Sequence, residues 1–311
     1  MEPAVRIQNI TKRYGSLTAV KNLSLEIFPG EVLGFLGPNG AGKTTTIQIL
    51  CGLLAADEGK VLVYGAQTAR SSAVKERIGL CPQDILIWPH LTCSEQLKWV
   101  GGLYGQTTSQ TRRRAEELLE LLGLTEKRDK QAGTLSGGMK RRLNLALALV
   151  HDPEILVLDE PEAGLDPQSR VNVRELIKSL AAEKTIILTT HNMDEADRLS
   201  DRVAVMDQGE LLLVDTPERL KNRVGKGDVL ELAFTNTDAA ERAVGILAEQ
   251  FTGTVVQEGR LLILRSLNIL THLATFLAAL SAAGCSPNES RLRQNTLEDV
   301  FIQLTGRRLH E

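Results

Sequence analysis

Val32–Leu36 (VLGFL) runs straight into Gly37-Pro38-Asn39-Gly40-Ala41-Gly42-Lys43-Thr44-Thr45, and Thr44–Leu53 then reads as a helix. An apolar strand, a glycine-rich loop and a helix in that order match the spacing G-x-x-x-x-G-K-[ST]. The chemistry explains the spacing. Glycines let backbone N–H groups converge on phosphate oxygens with no side chain in the way. Lys43 adds a point charge for the β- and γ-phosphates, Thr44 offers a hydroxyl to Mg²⁺, and the helix N-terminus turns its positive end toward the anion. The bland alternative is a glycine-rich turn, and the placement between strand and helix counts against it. By itself the loop says only that a nucleoside triphosphate binds here.

The flanking sequence extends this into an α/β architecture. Ala4–Ile10 and Leu23–Phe28 alternate as strands, with Val5, Ile7 and Ile10 nearly in period two, and Pro29-Gly30 makes a turn. Residues 86–150 read as mostly helical. Thr111–Leu122 puts Leu118, Leu119, Leu121 and Leu122 to one side, and Gly123 ends it. Arg112–Arg114 invite a phosphate-binding reading, but Glu116 and Glu117 follow at helical spacing and point to a solvated face. Ile155–Leu158 and Thr185–Thr190 are continuous apolar runs, as in strands buried on both faces of a parallel sheet. The amphipathic Arg170–Ala182 between them implies a right-handed crossover. Val203–Asp207 and Glu210–Val214 read as a hairpin around Gln208-Gly209.

At Lys221–Asp228 the pattern breaks into a polar stretch with two glycines, and a domain boundary is expected there. Beyond it, Val229–Phe234, Asp238–Gln250, Gly253–Gln257, Leu261–Leu264, Leu270–Ala283 and Glu289–Arg293 read as βαββαβ, followed by a helix over Thr296–Leu304 capped by Thr296. A length of 311 residues fits one large domain plus a smaller one. The net charge of −3 argues against a protein that holds nucleic acid. The four cysteines form no C-x-x-C pair and read as reduced thiols of a cytoplasmic protein. No run reaches the ~18 apolar residues that a membrane span needs. A membrane role would therefore need a separate subunit to supply the spans.

Two further motifs carry chemistry. Ile155-Leu-Val-Leu-Asp159-Glu160 is a buried strand ending in two carboxylates. Asp159 suits Mg²⁺ binding and Glu160 suits polarising an attacking water. Leu135-Ser136-Gly137-Gly138-Met139 precedes a basic, apolar helix and makes a second anion site without a lysine. Two phosphate sites about a hundred residues apart are most simply explained if they grip the same nucleotide from opposite sides of a dimer.

With these motifs in this order, residues 4 to about 220 resemble an ABC-transporter nucleotide-binding subunit. The resemblance implies a P-loop NTPase fold of α/β class: a RecA-like core, an antiparallel β subdomain and a helical subdomain (about 86–150). These would make up residues 1–222, with an accessory α+β domain over 228–311. It implies ATP and Mg²⁺. Gly37 to Thr45 would cradle the phosphates, Tyr14 would stack on adenine, and Gln83 would reach the metal and γ-phosphate while facing the transmembrane partner. Thr44, Gln83 and Asp159 form the implied metal set. Glu160 matches the catalytic glutamate, with Lys43 and Gln83 beside it, and His191 the switch histidine. Ser136, Gly137 and Gly138 would contact ATP held by the opposite subunit, and Asp166 belongs to the D-loop joining the two sites. Met139, Glu162 and Cys81 depart from the commonest family forms, and Glu162 is expected to slow hydrolysis by its charge. LSGGMKRRLNLA and the tail Leu297–Arg307 resemble the drug- and lipid-exporting, daunorubicin-resistance type. That type implies a homodimer or paired ATPase subunit, a separate membrane permease, no nucleic acid, and a place on the inner face of the cell membrane. The alternative is a soluble ABC ATPase in a non-transport role: nucleic-acid, ribosome or cofactor-assembly work.

Overall fold

The computed structural model describes residues 2–68, 71–223, 228–248, 251, 253–266 and 269–306. The expected boundary residues 224–227, helix end at 249–250 and Arg307 lie outside them. The chain divides into two compact units, one ending at Thr216 and the next beginning at Pro217.

The first unit holds two sheets. Strands β1 (Val5–Tyr14), β2 (Leu17–Ile27), β4 (Glu58–Val63) and β5 (Ala66–Gln67) form an antiparallel sheet in the order β2-β1-β4-β5. The alternation in β1 slips because Asn9, at φ 50°, sits at a register shift between Ile7 and Ile10. This bulge returns Ile10 to the face that Val5 and Ile7 bury.

The second sheet runs β10-β9-β3-β8-β7-β6, from β3 (Val32–Leu36), β6 (Ile78–Cys81), β7 (Ile155–Asp159), β8 (Thr185–Thr190), β9 (Arg202–Asp207) and β10 (Glu210–Asp215). All pairs are parallel except the β9–β10 hairpin at the edge. Every residue of β3, β7 and β8 is buried, which is why their sequences are apolar without alternation. Helix α1 (Lys43–Leu50) follows β3, and α6 (Pro167–Ala181) crosses from β7 to β8. Helix α1 stops three residues short of the sequence expectation because Gly52, at φ 67°, takes the left-handed conformation that ends helices. The short α2 (Ser72–Lys75) leads into β6.

Between β6 and β7 lies a helical layer of α3 (Cys93–Leu103), α4 (Thr108–Leu121) and α5 (Gly137–Leu149). Thr92 with Glu95 and Thr107 with Gln110 form capping boxes that start α3 and α4. Leu118, Leu119 and Leu122 are buried with Thr111 and Ala115, but Leu121 is 50% exposed. At 3.6 residues per turn Leu121 falls off that stripe, so its expected place in the core is corrected. Arg112, Arg113 and Arg114 pair with Glu116, Glu117 and Asp152, as a solvated face would. Helix α7 (Met193–Leu199) joins β8 to β9.

The second unit holds α8 (Pro217–Arg223), then β11 (Asp228–Ala233), α9 (Thr237–Ala248), β12 (Thr254–Glu258), β13 (Leu261–Ser266), α10 (Ile269–Ala282), β14 (Glu289–Gln294) and α11 (Leu297–Thr305). Its antiparallel sheet has the order β12-β13-β11-β14. Leu230, Leu232, Leu262 and Leu264 form its core with residues of α9 and α10 such as Leu247, Phe276 and Leu280. Thr296 caps α11 in a capping box with Asp299.

Candidate active site

The glycine loop leaves β3 at the carboxyl end of the parallel sheet, where such folds bind ligands. Gly37 donates its N–H to the carbonyl of Thr190 at 3.3 Å. A Cβ at Gly37 would stand 2.3 Å from the carbonyl oxygen of Met206, and one at Gly42 (φ 96°) 2.3 Å from that of Ala19. No side chain fits at either position. Gly42 also occupies the N-cap of α1 and supplies no capping side chain, so the first-turn N–H groups stay open to an anion. Lys43 folds back over the loop. Its Nζ donates to the carbonyls of Gly37 (2.7 Å) and Pro38 (3.0 Å) and stands 3.7 Å from Glu160 Oε1. Burial holds its pKa below the usual lysine range, while Glu160 and Asp159 pull it back up.

The end of β7 supplies the two carboxylates. Asp159 Oδ1 accepts from Thr189 Oγ1 (2.5 Å) and from Thr44 Oγ1 (3.3 Å). Glu160 lies at φ 50°, a left-handed conformation that costs a non-glycine residue ~1–3 kcal/mol. Its N–H donates to both the carbonyl and the hydroxyl of Thr189, each at 3.1 Å. Its carboxylate faces His191, with Nδ1 2.7 Å from Oε2. The end of β8 thus delivers Thr189, Thr190 and His191 to the same place. Behind them, Glu195 of α7 accepts from the hydroxyl of Thr190, and burial pushes its carboxyl up to about 8.

The remaining expected residues lie outside this cluster. Gln83 is exposed, and only its backbone carbonyl is held, by Arg141. Ser136 is an exposed N-cap whose Oγ accepts from Met139 N at 3.3 Å. Gly138 lies so close to α6 that a Cβ there would stand 2.4 Å from Ser169 Oγ. Asp166 caps α6, accepting from Ser169 N (3.0 Å) and Oγ (2.6 Å). Tyr14 is 48% exposed at the end of β1, with the Lys12 ammonium 5.7 Å from its ring centre. Glu162 is buried in a two-point pair with Arg174, at 2.8 and 2.9 Å. Its charge is therefore neutralised inside the chain, against the expectation that it adds free negative potential.

Three contributors escaped sequence reasoning: Thr189, Glu195 and Arg141. Arg141 left a signal. Gly138, Arg141, Leu145 and Ala148 recur at helical spacing and are all buried, so a charge occupies a core stripe.

The description "ABC transporter" matches residues 20–163. The chain is 37% identical over 310 residues to the linearmycin resistance ATP-binding protein LnrL of Bacillus subtilis (strain 168), covering 99% of this chain and 100% of that protein. It is 39% identical over 309 residues to the daunorubicin resistance ATP-binding protein DrrA2 of Streptomyces coeruleorubidus, covering 98% and 96%. The dimeric, post-hydrolysis structure of the ATP-binding cassette MJ0796 with ADP and Pi aligns at a TM-score of 0.62 and 27% identity, covering 68% of this chain and 98% of that one. A phosphate loop opening α1, paired carboxylates ending β7 and near full-length relatives agree, and the chain belongs to the ATP-binding, ATP-hydrolysing subunits of ABC transporters, of the drug-export type.

Proposed function

We propose that two copies of this chain close on two ATP molecules and that closure drives a separate membrane permease. The observation that carries this is the exposed second anion motif. Ser136 and Gly137 stand in solvent at the start of α5, and Ser136 bonds only within its own cap. Lys43, Thr44, Asp159, Glu160 and His191 gather around the glycine loop instead. In this reading a second chain brings its Ser136 motif to the nucleotide held on that loop.

In this reading Lys43 and the first turn of α1 grip the phosphates and Tyr14 stacks on the base. Glu160 polarises the attacking water, and His191 beside it contacts the γ-phosphate. Thr44 Oγ1 and Asp159 Oδ1 are hard oxygen donors 3.3 Å apart. One carboxylate and a hydroxyl beside substrate phosphates is a donor set that suits Mg²⁺, so these residues, with Gln83 turning inward, would hold it. When bound, the ion neutralises charge on the β- and γ-phosphates. Among the described residues no cluster of three His, Cys, Asp or Glu side chains could hold a metal; substrate phosphates and water would supply the remaining ligands.

The permease surface is an apolar groove beside the Gln83 segment. It is a cavity of about 420 Å³ lined by Leu53, Leu86, Trp88, Val100 and Tyr104. Leu53, Leu86, Trp88 and Tyr104 of this lining are exposed, and exposed Trp99 packs edge-on against Trp88, a concentration of large apolar side chains that marks a protein contact. No helix among the described residues is long and apolar enough to cross a membrane, so the partner supplies the spans. The chain would then sit on the inner face of the membrane. Relatives named for resistance to linearmycin and daunorubicin and for Nod factor export support a drug, lipid or other amphipathic compound as the exported cargo.

Glu160→Gln tests the reading. The variant should bind ATP, hydrolyse it at least about 100-fold more slowly, and accumulate as a dimer by light scattering. Wild-type turnover, or a variant that stays monomeric with ATP bound, would sink it.

A further inference from the structure

Arg141 lies in the first half of α5 and is 3% exposed. Its guanidinium donates to five backbone carbonyls. Nε bonds Pro161 (3.1 Å), Nη1 bonds Pro82 (2.7 Å) and Gln83 (2.9 Å), and Nη2 bonds Asp159 and Glu160 (2.8 Å each). None of these acceptors is a carboxylate. A buried guanidinium without a counter-charge is costly, and here carbonyl dipoles alone compensate it.

Three of the five acceptors are consecutive, residues 159–161. Along an extended strand successive carbonyls point to opposite sides and could not meet one guanidinium. They converge because Glu160 adopts φ 50°. That same left-handed turn brings the Glu160 carboxylate to Lys43 (3.7 Å) and His191 (2.7 Å). The other two acceptors belong to the segment that carries Gln83. One side chain therefore ties the helix capped by Ser136 to the backbone of both Gln83 and Glu160.

We propose that Arg141 is a positioning residue for hydrolysis: it clamps residues 159–161 so that the strained Glu160 aims its carboxylate at the attacking water, and it holds the Gln83 segment in register with it. It touches no nucleotide. The proposal rests on the reading of Glu160 as the water-polarising group. The competing account is a core staple, which predicts lower stability and an unchanged turnover per folded molecule.

The test is ATP titration and steady-state hydrolysis by the full chain, comparing Arg141→Met, Arg141→Lys and Glu160→Gln. Arg141→Met should lower kcat about 100-fold, the cost of misplacing a reacting group by about 1 Å, with the Kd for ATP changed less than about threefold. Arg141→Lys keeps the charge but loses the planar fork, and should restore part of the rate. A kcat for Arg141→Met within about twofold of wild type overturns the proposal, as does a loss of ATP affinity in proportion to rate. If Arg141→Met does not fold, Arg141→Lys decides: kcat must fall at least about tenfold at unchanged Kd. An inactive Glu160→Gln beside a normal Arg141→Met overturns this proposal alone. A fully active Glu160→Gln overturns the reading of Glu160 and this proposal with it.

Discussion

The candidate active site of the first unit and the charge cluster of the second bury charge in opposite ways. In the second, Arg293 donates to Glu231 (2.6 Å) and to both oxygens of Asp299 (2.6 and 3.0 Å), Arg265 donates to Asp299 (2.8 Å), and Thr296 closes the circle. Burial alone would raise the Asp299 carboxyl, but Arg293 and Thr296 hold it well below the usual carboxylate range. In the first unit Arg141 has only carbonyls, Glu160 is strained, and Glu195 is forced toward its neutral form. A charge network closed on itself fastens a helix to a sheet. A network left open, with strain stored in it, is ready for a ligand.

Four experiments would break or sharpen this contrast. The largest effect is expected for Lys43→Met. ATP hydrolysis should fall at least about 100-fold and nucleotide binding should weaken, while the melting of the second unit stays put. Retained ATP affinity would mean that the open network is not a ligand site. Next, Asp299→Asn should destabilise the second unit by about 2 kcal/mol, seen by calorimetry, and leave turnover unchanged. A parallel loss of ATPase activity would join the two networks in function.

The third contrast is one of sign. The Glu195 carboxyl rises from its ordinary 4.5 to about 8, so its protonated form is favoured by folding. Its contribution is complete below about pH 4.5 and is lost as pH rises toward 8. Asp299 is depressed below its ordinary 3.8, so its contribution is present above that value and is lost as pH falls. Thermal melts across pH should show the first unit weakening toward alkali and the second toward acid, and Glu195→Gln should flatten the first trend. A first unit whose stability is constant between pH 5 and pH 8 would contradict the burial of Glu195. The smallest effect is expected for Glu162→Thr. Because Arg174 already neutralises Glu162, the rate should change less than about twofold, and a larger gain would revive the idea of an electrostatic brake.

What the sequence made legible was local. Strand, glycine loop and helix stand within some twenty residues, and each part needs only its neighbours. The paired carboxylates after Ile155–Leu158 were legible for the same reason. Arg141 was not, because its acceptors come from two other segments, at residues 82–83 and 159–161. The order of elements in the second unit was also readable, but its charge cluster was not. Arg265 and Arg293 meet across Val229 only once β13, β11 and β14 align, and register is invisible in one sequence.

The left-handed turn at Glu160 also bears on how this protein can be changed. Glycine and asparagine adopt that conformation at less cost than glutamate. A laboratory selection that rewarded thermal endurance alone would therefore drift position 160 toward them. With Glu160 in its proposed role, the winners would be hardier proteins that still load nucleotide and no longer spend it.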